Sequence, residues 1–127
     1  MAANPTYFGT PWCPSATISV ANTARNGTGT IVSLGAAPAG GGRIDDIIFT
    51  AQGTTTAGFI RIFKHDGTTY RLIDEIAVAA ITPSATVAAW RYAAFNLGIV
   101  LEEGHALGFS TEKAETFNVT VTRGGKS

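Results

Sequence analysis

Three adjacent acid pairs, Asp45-Asp46, Asp74-Glu75 and Glu102-Glu103, are the first candidates for chemistry in this chain. Two carboxylates held roughly 5–10 Å apart can hydrolyse a glycosidic bond. Neighbours on a strand point to opposite faces, so each pair offers a given cleft a single carboxylate. The pattern reads more simply as solvated charges at turns and edges, and a small hydrolase ranks last. His65 and His105 could join carboxylates around a metal, but no H-x-H or H-E-x-x-H spacing supports that. Cys13 stands between Trp12 and Pro14 with no base beside it. A G-x-S-x-G elbow is missing, and Gly40-Gly41-Gly42 leads into Arg43-Ile44-Asp45 rather than the lysine and helix of a phosphate loop. Asp66-Gly67 lacks the further acidic residues of a calcium loop. The expectation is a non-enzymatic protein: no catalytic residue, no metal site, no cofactor.

The aromatic residues offer binding instead. Trp90 and Tyr92 share one face of an expected strand, with Phe95 on the other, an arrangement on which a sugar ring could stack. Packing in the core and at its edge is the plainer role for such residues. Tyr7, Phe8 and Trp12 fall in a stretch, Met1–Pro14, that holds three of the five prolines. Proline fixes φ, lacks an N–H and pushes its predecessor toward extended geometry. An extended arm carrying that much aromatic surface must lie on something, so Tyr7, Phe8 and Trp12 are the expected partner-binding residues.

The elements that would position these groups are strands. The 127 residues suit one domain, and 45% are hydrophobic while only 14% are charged, which argues against disorder. Nine basic and nine acidic side chains give no net charge, so no basic stripe is expected for nucleic acid. The single cysteine excludes an internal disulfide. No apolar run reaches the roughly 20 residues of a membrane helix, and the first residues lack a signal-peptide pattern, so synthesis in the cytoplasm is expected. Short runs rich in Val, Ile, Thr and aromatics recur between turn residues. The clearest are Phe59–Lys64 and Tyr70–Ile76 around His65-Asp66-Gly67-Thr68, a hairpin signal. Residues 73–94 are alanine-rich, but Thr82-Pro83-Ser84 interrupts them and Val87–Phe95 alternates, which favours strand over helix. The pattern predicts an all-β, single-domain β-sandwich of about eight strands, jelly-roll-like, with an extended N-terminal arm. The arm is residues 1–14, the sandwich 15–123, and 124–127 a flexible tail.

Several phrases carry a family resemblance: the opening Met1 to Pro11, Gly42-Arg-Ile-Asp-Asp46, Thr54 to Gly58, Ile62 to Gly67, Thr82 to Val87 and Glu115 to Val119. Over nearly the whole chain the sequence resembles small structural proteins of tailed phages and prophages. The phrases are turns and strand edges, and they bring no catalytic residue with them. The resemblance implies a place in the virion, on the capsid surface, as a head decoration or cement protein bound to the major capsid protein lattice. It further implies a homo-oligomer, with a trimer suited to local threefold points, and no nucleic-acid or membrane partner. A tail or baseplate component is the alternative inside the particle, and a carbohydrate-binding module using Trp90 and Tyr92 the alternative outside it.

Overall fold

The computed structural model describes residues 10–126. Its local anchor is the hairpin of strands β5 (Gly58–His65) and β6 (Tyr70–Val78). Gly67 takes φ +96°, which side chains with a Cβ rarely adopt. Asp66 Oδ1 accepts from the N–H of Thr69 at 2.9 Å and of Thr68 at 3.1 Å, and Oδ2 faces Arg71 Nε at 3.1 Å. Those two backbone donors, then Arg71, hold the Asp66 carboxyl well below its ordinary range. The sign follows: a depressed carboxylate adds stability above its unfolded pKa and loses it as pH falls through the folded one. Asp66→Ala is therefore expected to lower the urea midpoint at about pH 7, and the gap to the parent should shrink below about pH 4. An undiminished gap in acid would show that the carboxylate charge is not the stabilising element.

Two long strands, β4 (Gly42–Ala51) and β10 (Phe117–Lys126), pair antiparallel at the centre of one sheet. Ile47, Phe49 and Ala51 on β4 and Phe117, Val119 and Val121 on β10 are buried, while Asn118 and Thr120 between the latter three are exposed. That is the period-2 alternation of a half-buried strand. Each outer edge of this sheet is a broken strand. On β10 lie β1 (Thr10–Pro11) and β2 (Ser15–Ile18). On β4 lie β7 (Arg91–Ala94) and β8 (Ile99–Leu101). The second sheet runs β3 (Val32–Ser33), β9 (Ala106–Thr111), β5, β6. Counting each broken edge once leaves eight strand positions, four per layer. Chain order crosses between the layers repeatedly, and the two antiparallel sheets form a β-sandwich. The layers meet through Ile44, Ile47 and Phe49 on one side and Ile60, Ile62 and Leu107 on the other, with Phe49 and Phe109 edge to face at 5.6 Å.

Two boundaries differ from the sequence expectation. Pairing on β10 continues beyond Arg123: Gly124, Gly125 and Lys126 face Ile44, Arg43 and Gly42. Gly124 is needed there for close approach, since a Cβ would stand 2.7 Å from the Trp12 carbonyl oxygen, where composition alone reads looseness. The alanine-rich segment forms no helix, but its strand is short, because residues 79–90 are a connection pinned by Thr55 and Ile81.

Candidate interaction surface

Tyr7 and Phe8 lie outside the described residues, and Trp12 shows how the arm is rooted. β1 pairs Thr10 with Lys126 and Pro11 with Gly125. Proline is tolerated there because an edge strand leaves one side of its backbone unpaired. Trp12 N–H donates to Gly124 O at 3.1 Å, and Val121 N–H to Pro14 O at 3.0 Å. The half-buried Trp12 indole packs against the core cluster and lies over Gly42, where a Cβ would stand 2.7 Å from two ring carbons. Residues 10–18 thus run along most of the length of β10, and this chain's own sandwich holds Trp12.

The acid pairs are dispersed among arginines and turns. Asp45 is buried and pairs with Arg43 Nε at 2.9 Å, so it is not the solvated charge its neighbourhood suggests. A register shift in β10 around Arg123 leaves Asp46 beside that arginine at 3.3 Å, and Asp46 also accepts from Asn96 N–H at 3.0 Å. Glu102 stands 3.5 Å from His105, and Glu103 accepts from Gly40 N–H at 3.3 Å. His65 Nδ1 accepts from Gly67 N–H at the hairpin turn. Cys13 is exposed. Among the described residues no group of three or more His, Cys, Asp or Glu is placed to hold a metal ion.

Trp90 and Tyr92 do stack, with centroids 6.4 Å apart and rings 9° from parallel. Trp90 is only 6% exposed, however, and meets Phe117 edge to face. Tyr92 alone of the two presents a ring to solvent. It belongs to an apolar flank: β2 touches β3 and β9, so the opposite side of the sandwich is bounded by β6 and by β7 with β8. Of the six large apolar side chains left exposed among the described residues, Ile73, Val87, Tyr92, Phe95 and Val100 fall on these strands or the loops joined to them, and Val20 does not. Exposed apolar side chains gathered on one side mark an interaction surface more often than scattered ones do.

Solved structures include chains that this one is similar to. The backbone resembles "Capsid of Ralstonia phage GP4", with a TM-score of 0.48 and 14% sequence identity over 95% of this chain and 88% of that one. No family model and no curated protein matches the sequence.

One cluster escaped the sequence reading. Arg61, in the middle of β5, is 1% exposed. It donates to Glu75 and Glu112 at 2.7 Å each and to the Asn22 carbonyl at 3.4 Å. Arg25 reaches Glu75 as well, at 2.5 Å. Both guanidiniums stand near the Phe59 ring, 5.6 Å from its centroid for Arg61 and 5.9 Å for Arg25. Burial pushes the Arg61 pKa down, but the bonds to Glu112 and Glu75 outweigh it and the net shift is upward. Arg25, then Arg61, hold Glu75 below its ordinary value. These ion pairs strap the β2–β3 loop to the outer face of the second sheet.

Proposed function

We propose that this chain is a structural protein of a phage particle, a decoration or cement protein that docks on the head lattice through its N-terminal arm and performs no chemistry. The observation that carries the reading is the arm root. Residues 10–18 are already paired along β10 and pinned by Trp12, so binding does not have to order them. A tether of that kind suits a protein whose task is to hold neighbours together, since pre-ordering lowers the entropic cost of docking. The resemblance of the turn and edge phrases to phage structural proteins supports the same reading. The titratable groups add to it: Asp45, Asp46, Glu75 and Glu112 are each engaged by an arginine.

Copy number tests this directly. Particles purified from the source lysate are quantified by calibrated mass spectrometry for this chain against the major capsid protein. A ratio comparable to the capsid protein is the expected result. A few copies per particle would move the protein to the tail or neck, and absence would overturn the virion reading.

A further inference from the structure

The loop between β2 and β3 lies across the outer face of the second sheet, and polar contacts hold it there. Asn22 N–H donates to Thr111 O on β9 at 2.8 Å. The Asn22 carbonyl accepts from Arg61 on β5 at 3.4 Å, and Arg25 pairs with Glu75 on β6. The loop thus reaches three strands in turn. From residue 19 to residue 31 the one buried residue is Asn22, and no apolar residue is buried. The loop also closes on itself. Asn22 Nδ2 donates to Thr28 O at 3.0 Å and to Thr30 O at 2.9 Å, and Oδ1 accepts from Ala24 N–H at 3.0 Å. Residues 22–30 therefore keep their shape through their own bonds, as a compact Ω-type loop does. A unit bonded within itself and lacking a buried apolar anchor belongs to the low-stability end of a fold.

Closure carries costs beneath the loop. Burial disfavours the Arg61 charge, and Glu112 and Glu75 offset that cost. Ser110 stands opposite Arg61 in register, so its side chain shares the covered face. It is 2% exposed, and its Oγ has no hydrogen-bond partner among the described residues. A buried hydroxyl of that kind regains a partner when water enters. Gly27 abuts the Tyr70 carbonyl so closely that a Cβ there would collide with its oxygen. Against these costs stand two guanidiniums on one carboxylate oxygen, since Arg25 Nε and Arg61 Nε both donate to Glu75 Oε2. Glu75 is the joint between loop and sheet.

We infer that residues 22–30 are a strap latched by Glu75, which lifts off the second sheet as one unit while both sheets stay paired, and so bares Arg61, Ser110 and the Phe59 ring to solvent. The inference concerns the isolated chain and does not rest on its place in a particle.

Amide hydrogen exchange of the full chain, read residue by residue, tests it. Glu75→Gln keeps the shape of the side chain and leaves Arg61 its bond to Glu112. The amides of Asn22 and Ala24 are expected to exchange about fivefold faster than in the parent, as for the loss of a partly exposed charge contact. Core amides on β4 and β10 should keep their rates. Gly27→Ala lifts the strap without removing a charge, and it should speed the same two amides. Equal acceleration of strap and core amides would overturn the inference, because the loop would then open only with the whole fold. Unchanged Asn22 and Ala24 rates in either variant would overturn it as well. So would a response of one of those amides without the other, which would deny a single moving unit.

Discussion

Arg61→Ala is expected to lower the unfolding free energy by about 3 kcal/mol, because it strands two carboxylates whose shared cation is gone. Arg61 is 1% exposed, while the side chains of Glu75 and Glu112 are 28% and 23% exposed. Water therefore reaches the acids more readily than the guanidinium, which keeps the cost at the low end of the range for broken buried pairs. Arg25 still pairs with Glu75, so the larger penalty falls on Glu112. The triple variant Arg61→Met, Glu75→Gln, Glu112→Gln removes both the charge and the orphans. It should recover a good part of the loss, since apolar replacement of a whole buried ion pair is often close to neutral. Urea unfolding of the single and triple variants checks both statements. Amide exchange should also rise in residues 22–31 of Arg61→Ala, where Asn22 loses its guanidinium contact. A loss under about 1 kcal/mol would mean that the cluster behaves as a surface ion pair.

Arg61 also shows where sequence stops being informative. In Phe59-Ile-Arg-Ile-Phe-Lys64 the alternation places Ile60 and Ile62 inside, as observed, and Arg61 on the solvent face. Its burial comes from a loop some forty positions away in the chain, and no local pattern announces that the loop folds back over the sheet. The β5–β6 hairpin was legible because Asp66-Gly67 acts within a few residues. The β4 and β10 strands were legible because each has one wet and one dry face. β1 and β8 were not: two or three residues carry no period, and Pro11 argues against a strand except at an edge. The same limit governs the candidate site. Trp12 could be singled out as an aromatic in a proline-rich arm. That its seat is its own sandwich depends on Gly42, Gly124 and Gly125 arriving together from distant parts of the chain.

That seat can be separated from the strand pairing around it by its glycines. At Gly42 a Cβ would stand 2.7 Å from Trp12 ring carbons, and the obstacle is a side chain. At Gly124 a Cβ would stand 2.7 Å from the Trp12 carbonyl oxygen and 2.8 Å from that of Arg43, both backbone. Gly42→Ala should therefore displace the indole and leave the sheet intact, at a cost of about 1 kcal/mol. Gly124→Ala must part β10 from its neighbours on either side and should cost about 3 kcal/mol. Trp12→Ala should cost about 2 kcal/mol, below the range for a fully buried tryptophan because the ring is half exposed. The decisive comparison is between the double variants. With Trp12→Ala in place, Gly42→Ala should become nearly neutral, because the atoms it strikes are gone. Gly124→Ala should keep its full cost, because the backbone oxygens remain. Urea unfolding of both cycles reads the two couplings. Equal behaviour of the two glycines would mean that the strand path, and not the indole, fixes the root. If the arm is what docks, Gly42→Ala becomes the cleaner probe of function: it frees Trp12 while β4 and β10 stay paired. A fall in capsid binding with little loss of stability would then trace the docking function to the seated tryptophan.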